Sequence, residues 1–332
     1  MRRSVMVAAV AAAVAVTVSS SLCLAQPTPS KPAAPWPSRT LRIVVGFPAG
    51  SSPDLTARTL AEPLSRALGQ SVIVENKVGA GGNIAAEYVA RATDDHTIGL
   101  MINGNMTIAK LLNPKLGYDP LKDLTPISLI GVSPLVLTAP LGAPGASAKE
   151  FFALARSAGD KWSYGSPGVG TVGHIGMEWL KGKTHINPVH VPYPGYPQVA
   201  NAMLGGQLQL SMLPPALAMA QIKAGKLRAI GVTSGGRSTL VPELPSMNEA
   251  GVPDFNLEIW NAIAAPNSMP KPVVAKLSEL FSSIARSPEM RQKLFQQGWQ
   301  VAGTSAEGLA NRIKDDTALL GSVISTRGIT AE

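Results

Sequence analysis

The most constraining feature of this 332-residue sequence is a regular alternation of short apolar runs with longer helix-like segments. In the first third of the chain, the runs at 41–45, 71–76 and 97–102 are typical of strands, and the segments 54–68 and 84–91 between them are typical of helices. Strands that are joined through helices pair in parallel, with the helices covering the sheet. The alternation therefore predicts an α/β fold with a mostly parallel, doubly wound sheet.

A second unit with the same alternation begins near an apolar pair of runs at 126–140. Its helices are predicted at 148–157, 174–181, 198–204 and 216–224, and its strands at 161–166, 187–193, 207–213 and 227–234. The tail predicts helices at 272–286, 288–297 and 306–320, and a strand at 259–266 that returns to the first unit. We therefore expect two α/β lobes with a cleft between them, the first formed by 39–131 and 260–332 and the second by 132–259.

The amino terminus is typical of an export signal and not of the fold. Arg2 and Arg3 precede an apolar segment of mostly Ala and Val, and small residues lead to a junction after Ala25. This segment is too short to span a membrane, so we interpret residues 1–25 as a cleaved signal peptide and the proline-rich residues 26–38 as a spacer. Cys23, the only cysteine, follows a bulky Leu22, which argues against a lipid anchor. The mature chain would then contain neither disulfides nor thiols.

Charge and composition narrow the possible partners. The formal net charge is +8, but Lys and Arg form no cluster after the leader and aromatic residues make up only 5%. A nucleic-acid groove needs both features, so we expect no nucleic-acid partner. No Asp or Glu occurs between Glu178 and Glu243, although that stretch contains several Lys and Arg. Such a bias would attract small anions to the second lobe.

Three loops that follow predicted strands share a similar polar composition. They are rich in Gly, Ser, Thr and Asn and contain neither Lys nor Arg. In the first, Ser52 is the predicted N-cap and Asp54 suits the positive end of the helix dipole. Such loops offer backbone N–H groups, hydroxyls and amides, which recognise carboxylates and other oxyanions. The candidate ligand-binding residues in these loops are Phe47, Pro48, Ala49, Gly50, Ser51, Ser52, Asp54, Asn103, Asn105, Ser166, Gly168, Gly170, Thr171 and His174.

Two enzymatic alternatives can be tested against the sequence. Residues 168–173 match the G-x-G-x-x-G pattern of dinucleotide sites, but the acidic residue that should follow about 20 positions later is missing. Ser166 and His174 could form a hydrolase pair, yet there is no G-x-S-x-G elbow and no evident acid to orient the histidine. The four histidines also lack zinc-site spacing. We expect no catalysis, no cofactor and no metal, with the hydrolase kept as an alternative.

The sequence resembles a known receptor family over nearly the whole chain after the leader. The similarity lies in "GFPAGSSPDLTAR", "GAGGN", "YDPLKDLTPISLIG", "WSYGSPGVGTVGH" and "IKAGKLRAIGVTSGG", in this order. These segments resemble the Bug receptors, which are the extracytoplasmic solute-binding subunits of tripartite tricarboxylate transporters. The resemblance implies a type II periplasmic binding fold and a periplasmic receptor, which we expect to be a monomer. It also implies a small carboxylate ligand that is delivered to membrane permease subunits.

The family's binding loops correspond to the three loops chosen above, with two departures. This chain has "PAGSSPD" where the family commonly has "PPGGGTD", so Ser51 and Ser52 add hydroxyl groups. Leu213 stands where relatives often carry an acid that faces an amine of the ligand. We therefore expect a mono- or dicarboxylate, aromatic acids included, and not an amino acid. A role as ligand sensor for a signalling partner remains an alternative.

Overall fold

The computed structural model describes residues 36–330. The predicted signal peptide, its cleavage after Ala25 and most of the predicted spacer lie outside the described residues. The bounds of the helices and strands below refer to the described part of the chain.

The first sheet has six strands in the order β11-β4-β10-β3-β1-β2. Their bounds are β1 Leu41–Val45, β2 Val72–Asn76, β3 Thr97–Ile102, β4 Leu124–Pro134, β10 Glu258–Pro266 and β11 Gln300–Val301. β1 lies between β2 and β3 and pairs with both in parallel, as the alternation predicts. Its side chains are almost completely buried because helices cover both faces of this region.

The second sheet has five strands in the order β7-β6-β8-β5-β9. Their bounds are β5 Val136–Pro140, β6 Ser163–Ser166, β7 Val189–Pro192, β8 Leu210–Leu213 and β9 Leu227–Val232. β6 pairs in parallel with β7 and β8, which again follows from the helices between them. The two sheets belong to the two lobes of the molecule.

The prediction of mostly parallel sheets is wrong at the strands that connect the lobes. β10 pairs antiparallel with β3 and β4, and β5 pairs antiparallel with β8 and β9. The reason is that β4 runs from one sheet into β5 of the other without a helical crossover, and β10 returns in the opposite direction. Both sheets are therefore mixed.

Ten α-helices surround the two sheets in the described residues. Their bounds are α1 Ser52–Leu68, α2 Asn83–Ala90, α3 Ala109–Leu112, α4 Ala148–Ala158, α5 Val172–Thr184, α6 Tyr196–Leu204, α7 Pro215–Lys223, α8 Lys271–Arg286, α9 Pro288–Gln296 and α10 Ala306–Arg327. Within residues 36–330, none of the helices combines the length and the apolar character that a membrane crossing requires.

The loop predicted to carry Asn103 and Asn105 is a helical segment. A π-helical segment, Gly104–Ile108, follows β3 directly and continues into α3. Asn103 already has helical backbone angles, and the Thr107 hydroxyl donates to the Asn103 carbonyl at 2.6 Å. The polar residues therefore serve as the start of a helix.

The last helix packs on both lobes. In its first half, Leu309 and Ile313 lie in the apolar cluster of Trp260 in the first lobe. In its second half, Leu320 and Ile324 lie in an apolar cluster with side chains of α5 in the second lobe. The lobe limits given above remain a prediction, but α10 packs against apolar clusters of both lobes.

Candidate ligand-binding cleft

The carboxylate of Asp54 holds the connection from β1 to α1 in place. Asp54 accepts hydrogen bonds from the backbone N–H of Gly50 at 2.9 Å and from Asn76 Nδ2 at 2.8 Å. Asn76 Nδ2 also donates to the carbonyl of Phe47 at 2.8 Å. These contacts fix residues 47–54 between β1 and the edge strand β2.

Asp54 stays ionised in this position. Burial raises the pKa of its carboxyl group, but hydrogen bonds from Arg58, Asn76 and the Gly50 backbone act in the opposite direction and leave the pKa below its ordinary value. Arg58 forms the ion pair at 3.0 Å from the solvent side. The negative charge is thus neutralised by a half-exposed cation.

The N-cap of α1 is Ser51, and the prediction of Ser52 is wrong by one residue. Ser51 has extended backbone angles, but its side chain makes no capping hydrogen bond. Ser51 is 2% exposed, and within residues 36–330 its Oγ has no hydrogen-bond partner. The hydroxyl is therefore buried at the helix start without capping it.

The two asparagines after β3 have different roles. Asn105 Nδ2 donates to the Gly81 carbonyl at 3.1 Å and to Asn83 Oδ1 at 2.9 Å, so this side chain holds the neighbouring loop. Asn103 Nδ2 donates to the carbonyl of Glu258 on β10 at 3.0 Å. Its Oδ1 is buried without a partner among the described residues.

The second-lobe loop after β6 is organised around Ser166. Its Oγ is hydrogen-bonded to His190 Nε2 at 2.7 Å and accepts from the backbone N–H of Gly168 at 3.2 Å. The Thr171 hydroxyl donates to the Gly168 carbonyl at 2.7 Å, and Thr171 is the N-cap of α5. Ser166 is completely buried. It anchors the loop from inside the lobe.

The histidine pair supports this loop from behind. The His174 ring stacks on the His190 ring at 4.2 Å, and His174 Nδ1 accepts from the Gly170 backbone N–H at 3.3 Å. Burial, followed by the charge of His174, lowers the pKa of His190 to about 4. Ser166 therefore bonds to a neutral His190 and, being fully buried, is not placed as the exposed nucleophile that the hydrolase alternative requires.

An enclosed cavity of about 40 Å³ lies between these loops and thus between the lobes. No charged side chain lines it. Its wall consists of Phe47, Ser51, Ser52, Pro53, Ile102, Asn103, Ile259, Trp260, Asn261 and Trp299 from the first lobe and Pro167, Thr171, Val172 and Tyr196 from the second. The amino ends of α1 and α5 meet there from opposite lobes, and neither has a side-chain cap.

Five buried polar atoms of the cavity wall lack hydrogen-bond partners in the described part of the chain. They are Ser51 Oγ, Asn103 Oδ1, the Tyr196 hydroxyl, Asn261 Oδ1 and Trp299 Nε1. Burial raises the pKa of the Tyr196 hydroxyl, which therefore keeps its proton. Buried polar groups are nearly always paired in proteins, and an unpaired one costs about 1–3 kcal/mol. Five at one cavity make it the candidate contact surface for a polar ligand.

The candidate residues fall into three groups. Phe47, Ser51, Ser52, Asn103 and Thr171 line the enclosed cavity. A second group supports it from the same loops or lines a neighbouring open groove of about 580 Å³; these residues are Pro48, Gly50, Asp54, Asn105, Ser166, Gly168, Gly170 and His174. Ala49 is exposed and does not belong to the cavity wall. Leu213 is different, because it is completely buried in the apolar cluster of Val136 and Ala218 and does not belong to the cavity wall.

Of the five cavity residues with an unpaired polar atom, three were missed in the sequence: Tyr196, Asn261 and Trp299. Tyr196 begins α6, Asn261 lies in β10 and Trp299 follows α9, so they come from distant segments. Asn261 gave a usable signal, since it is a single amide within the otherwise apolar run "IWNAIAAP". Tyr196 and Trp299 gave none that distinguishes them from ordinary core residues.

The lobes touch through glycine backbone beside the cavity. A Cβ on Gly104 would lie 2.8 Å from the carbonyl oxygen of Gly170, and a Cβ on Gly81 would lie 2.8 Å from that of Val169. Real Cβ atoms do not approach backbone this closely, so only glycine permits this spacing. The observed arrangement is a closed one.

A metal site is not indicated. In residues 36–330, no group of three or more His, Cys, Asp and Glu side chains is placed to hold a metal ion.

Comparisons with known proteins agree with this geometry. The family model described as "Tripartite tricarboxylate transporter family receptor" matches residues 56–329. The periplasmic binding protein BugD is 33% identical, with a TM-score of 0.83 over 90% of this chain and 100% of that chain. Rpa4515 of R. palustris, solved with adipate, is 29% identical, with a TM-score of 0.84 over 89% of this chain and 99% of that chain. MatC of Rhodopseudomonas palustris, solved with bound malate, is 30% identical, with a TM-score of 0.82 over 87% of this chain and 99% of that chain. The expected two-lobed periplasmic-binding fold is confirmed.

Proposed function

Because this chain belongs to the tripartite tricarboxylate transporter family of receptors, as the sequence resemblance implied, we propose that it is a periplasmic receptor for a small carboxylate. The receptor closes its lobes around the acid and delivers it to the membrane permease subunits of the transporter.

The observation that carries the proposal is the meeting of two helix starts at one cavity. α1 begins there with Ser51 and Ser52, and α5 begins there with Thr171 and Val172. The first backbone N–H groups of a helix have no partner within the helix, and the helix dipole makes this end positive. Two such ends from opposite lobes would hold a carboxylate only when the lobes are closed.

The remaining wall suits the hydrocarbon part of an organic acid. Phe47, Ile102, Ile259 and Trp260 give it apolar surface. In the closed arrangement the cavity measures about 40 Å³. We therefore favour a compact acid, and a longer one such as the adipate seen with Rpa4515 would hold the lobes further apart.

The cavity wall also argues against amino acids. An ammonium group needs a buried counter-charge, and the wall contains no Asp or Glu. This supports the expectation drawn from Leu213, although by a different set of residues.

The family and the leader together indicate the cellular compartment. BugD is a periplasmic binding protein. We propose that the leader directs this chain to the same compartment, that it is cleaved after Ala25, and that the mature receptor is a monomer.

The proposal is tested by titration calorimetry of the mature protein, from Gln26 onward, with monocarboxylates, C4 to C6 dicarboxylates, aromatic acids and amino acids. We expect saturable binding of one class of plain or hydroxylated carboxylate. Ser51→Ala should weaken it by about 0.5–1.5 kcal/mol, because it removes an unpaired hydroxyl of the cavity wall. Thr171→Val should weaken it by a similar amount, because it removes the hydrogen bond to the Gly168 carbonyl that fixes the loop at the start of α5. The exposed Ser283 provides the matched control, Ser283→Ala. Failure of every acid to bind, or tight binding of amino acids alone, would contradict the proposal.

A further inference from the structure

The amide of Asn261 is held in one orientation. Its Nδ2 donates to Thr56 Oγ1 at 3.0 Å, and the Thr56 hydroxyl uses its own proton to donate to the Ser52 carbonyl at 3.0 Å. Thr56 can therefore only accept from Asn261, which must direct its NH₂ group there. Asn261 Oδ1 is left as an acceptor at the cavity wall.

The amide of Asn103 is held in the same way. Its Nδ2 donates to the backbone carbonyl of Glu258 at 3.0 Å, and a carbonyl oxygen can only accept. Asn103 Oδ1 is therefore also an acceptor. Both asparagines are 1% exposed, and neither Oδ1 has a partner within residues 36–330.

A plain carboxylate cannot satisfy these two oxygens. Ionised carboxylate oxygens only accept hydrogen bonds, so they suit the donors of the wall, such as Trp299 Nε1 and the helix N–H groups. Facing Asn103 Oδ1 or Asn261 Oδ1, they would place two acceptors against each other and leave both without a hydrogen bond. The wall thus contains a donor region for a carboxylate and an acceptor pair for a different chemical group.

The group that fits the acceptor pair is a neutral donor. An ammonium group would donate, but its charge would be buried without an acidic side chain in the wall. A hydroxyl group donates without carrying charge. A hydroxyl group has one proton, so it donates to one of the two oxygens. We infer that Asn103 and Asn261 determine specificity because one of them accepts a hydrogen bond from a hydroxyl group of the ligand, so that the receptor selects hydroxycarboxylates over the matching plain acids.

This inference rests on the proposed carboxylate function and specifies it. A site with a buried acceptor loses roughly 5- to 150-fold in affinity when the ligand lacks the donor, because the acceptor remains desolvated and unpaired. We expect the hydroxy acid to bind at least roughly tenfold more tightly than its plain counterpart.

The test compares two matched pairs by titration calorimetry: 2-hydroxysuccinate with succinate, and lactate with propionate. In the wild-type protein, the hydroxy acid of at least one pair should bind more tightly. In at least one of the variants Asn103→Ala and Asn261→Ala, the ratio of the two affinities should fall towards one. Asn256 is exposed and outside the cavity wall, so Asn256→Ala should leave the ratio unchanged.

The outcomes separate the inference from the function on which it rests. Equal affinity of the hydroxy and plain acids in the wild-type protein would overturn the inference and leave the carboxylate receptor intact. An unchanged ratio in both folded variants would do the same, as would tighter binding of the 2-amino analogues, aspartate and alanine. Absence of binding by any acid would overturn both. Should a variant fail to fold by circular dichroism, the wild-type comparison alone decides.

Discussion

Gly104 offers a test of lobe closure that leaves the ligand contacts untouched. In Gly104→Ala the new Cβ would lie 2.8 Å from the Gly170 carbonyl oxygen across the cleft. The next nearest atoms, the Ile102 Cδ1 and the Thr171 Cα, are 3.4 Å away, which is an ordinary contact distance. The clash therefore lies mainly between the lobes. Relieving it requires the lobes to separate by roughly 0.5 Å.

The cost falls on the closed state alone. Overpacking of this kind costs about 1–3 kcal/mol, and in the open state the same methyl group meets no opposing lobe. Alanine is also a better helix former than glycine by up to about 1 kcal/mol, which favours the segment that begins at Gly104. We therefore expect Kd to rise roughly 5- to 150-fold, with the free energy of unfolding of the ligand-free protein unchanged or slightly higher.

The assay pairs titration calorimetry of a bound acid with urea unfolding of the ligand-free protein. Gly142→Ala is the matched control, because a Cβ at Gly142 would have no atom within 4 Å. Wild-type affinity in a folded Gly104→Ala protein would refute the closure contact. A loss of unfolding free energy equal to the loss of binding free energy would refute it too, since the substitution would then damage the fold and not the closed state.

Two further predictions concern stability. Asp54→Ala should lower the free energy of unfolding by about 1–3 kcal/mol in urea, because it leaves the Gly50 N–H and Asn76 Nδ2 without the buried carboxylate that accepts from them. The exposed Asp160→Ala should have no effect, and equal stabilities of the two variants would contradict the anchoring role. For His190, the pKa of about 4 in the folded protein lies below the ordinary 6.5, so the unfolded chain binds more protons between these values and stability should fall as the pH drops from about 6.5 to 4. Unfolding curves of His190→Asn should show a flatter pH dependence in this window than those of the exposed control His185→Asn, and equal slopes would assign the acid sensitivity to other groups.

Local features of the fold were predictable because local periodicity determines them. β1 and β3 have the bounds that their apolar runs predict, and the strand-to-helix loop at 47–54 follows from its Gly, Ser and Pro residues. The N-cap was misplaced by one residue because Ser51 and Ser52 are chemically equivalent in the sequence. The structure places the cap at Ser51 and joins Gly50 to Asp54 by a local hydrogen bond across the start of the helix, which the pair of adjacent serines does not reveal.

Non-local features were not predictable from a single sequence. The direction of β10 depends on its path between the lobes, so the mixed sheets could not be deduced from alternation alone. Asn261 and Trp299 reach the cavity through pairing and packing of segments that lie far from the three loops. Leu213 was linked to the ligand by its position in the family pattern, but its side chain packs into the second lobe's core.

Because α10 packs on both lobes, this carboxyl-terminal helix affects the opening of the lobes although it does not line the ligand cavity. Opening must either bend this helix of 22 residues or detach Leu320 and Ile324 from the second lobe. Each fully exposed side chain of this kind costs about 1.5–3 kcal/mol. This free-energy cost of opening favours the closed state to the same extent with every ligand. Substitutions in the last two turns of α10 would therefore change the affinity for all ligands together and leave the preference among them unchanged. Sensitivity and selectivity could then vary independently within one receptor architecture.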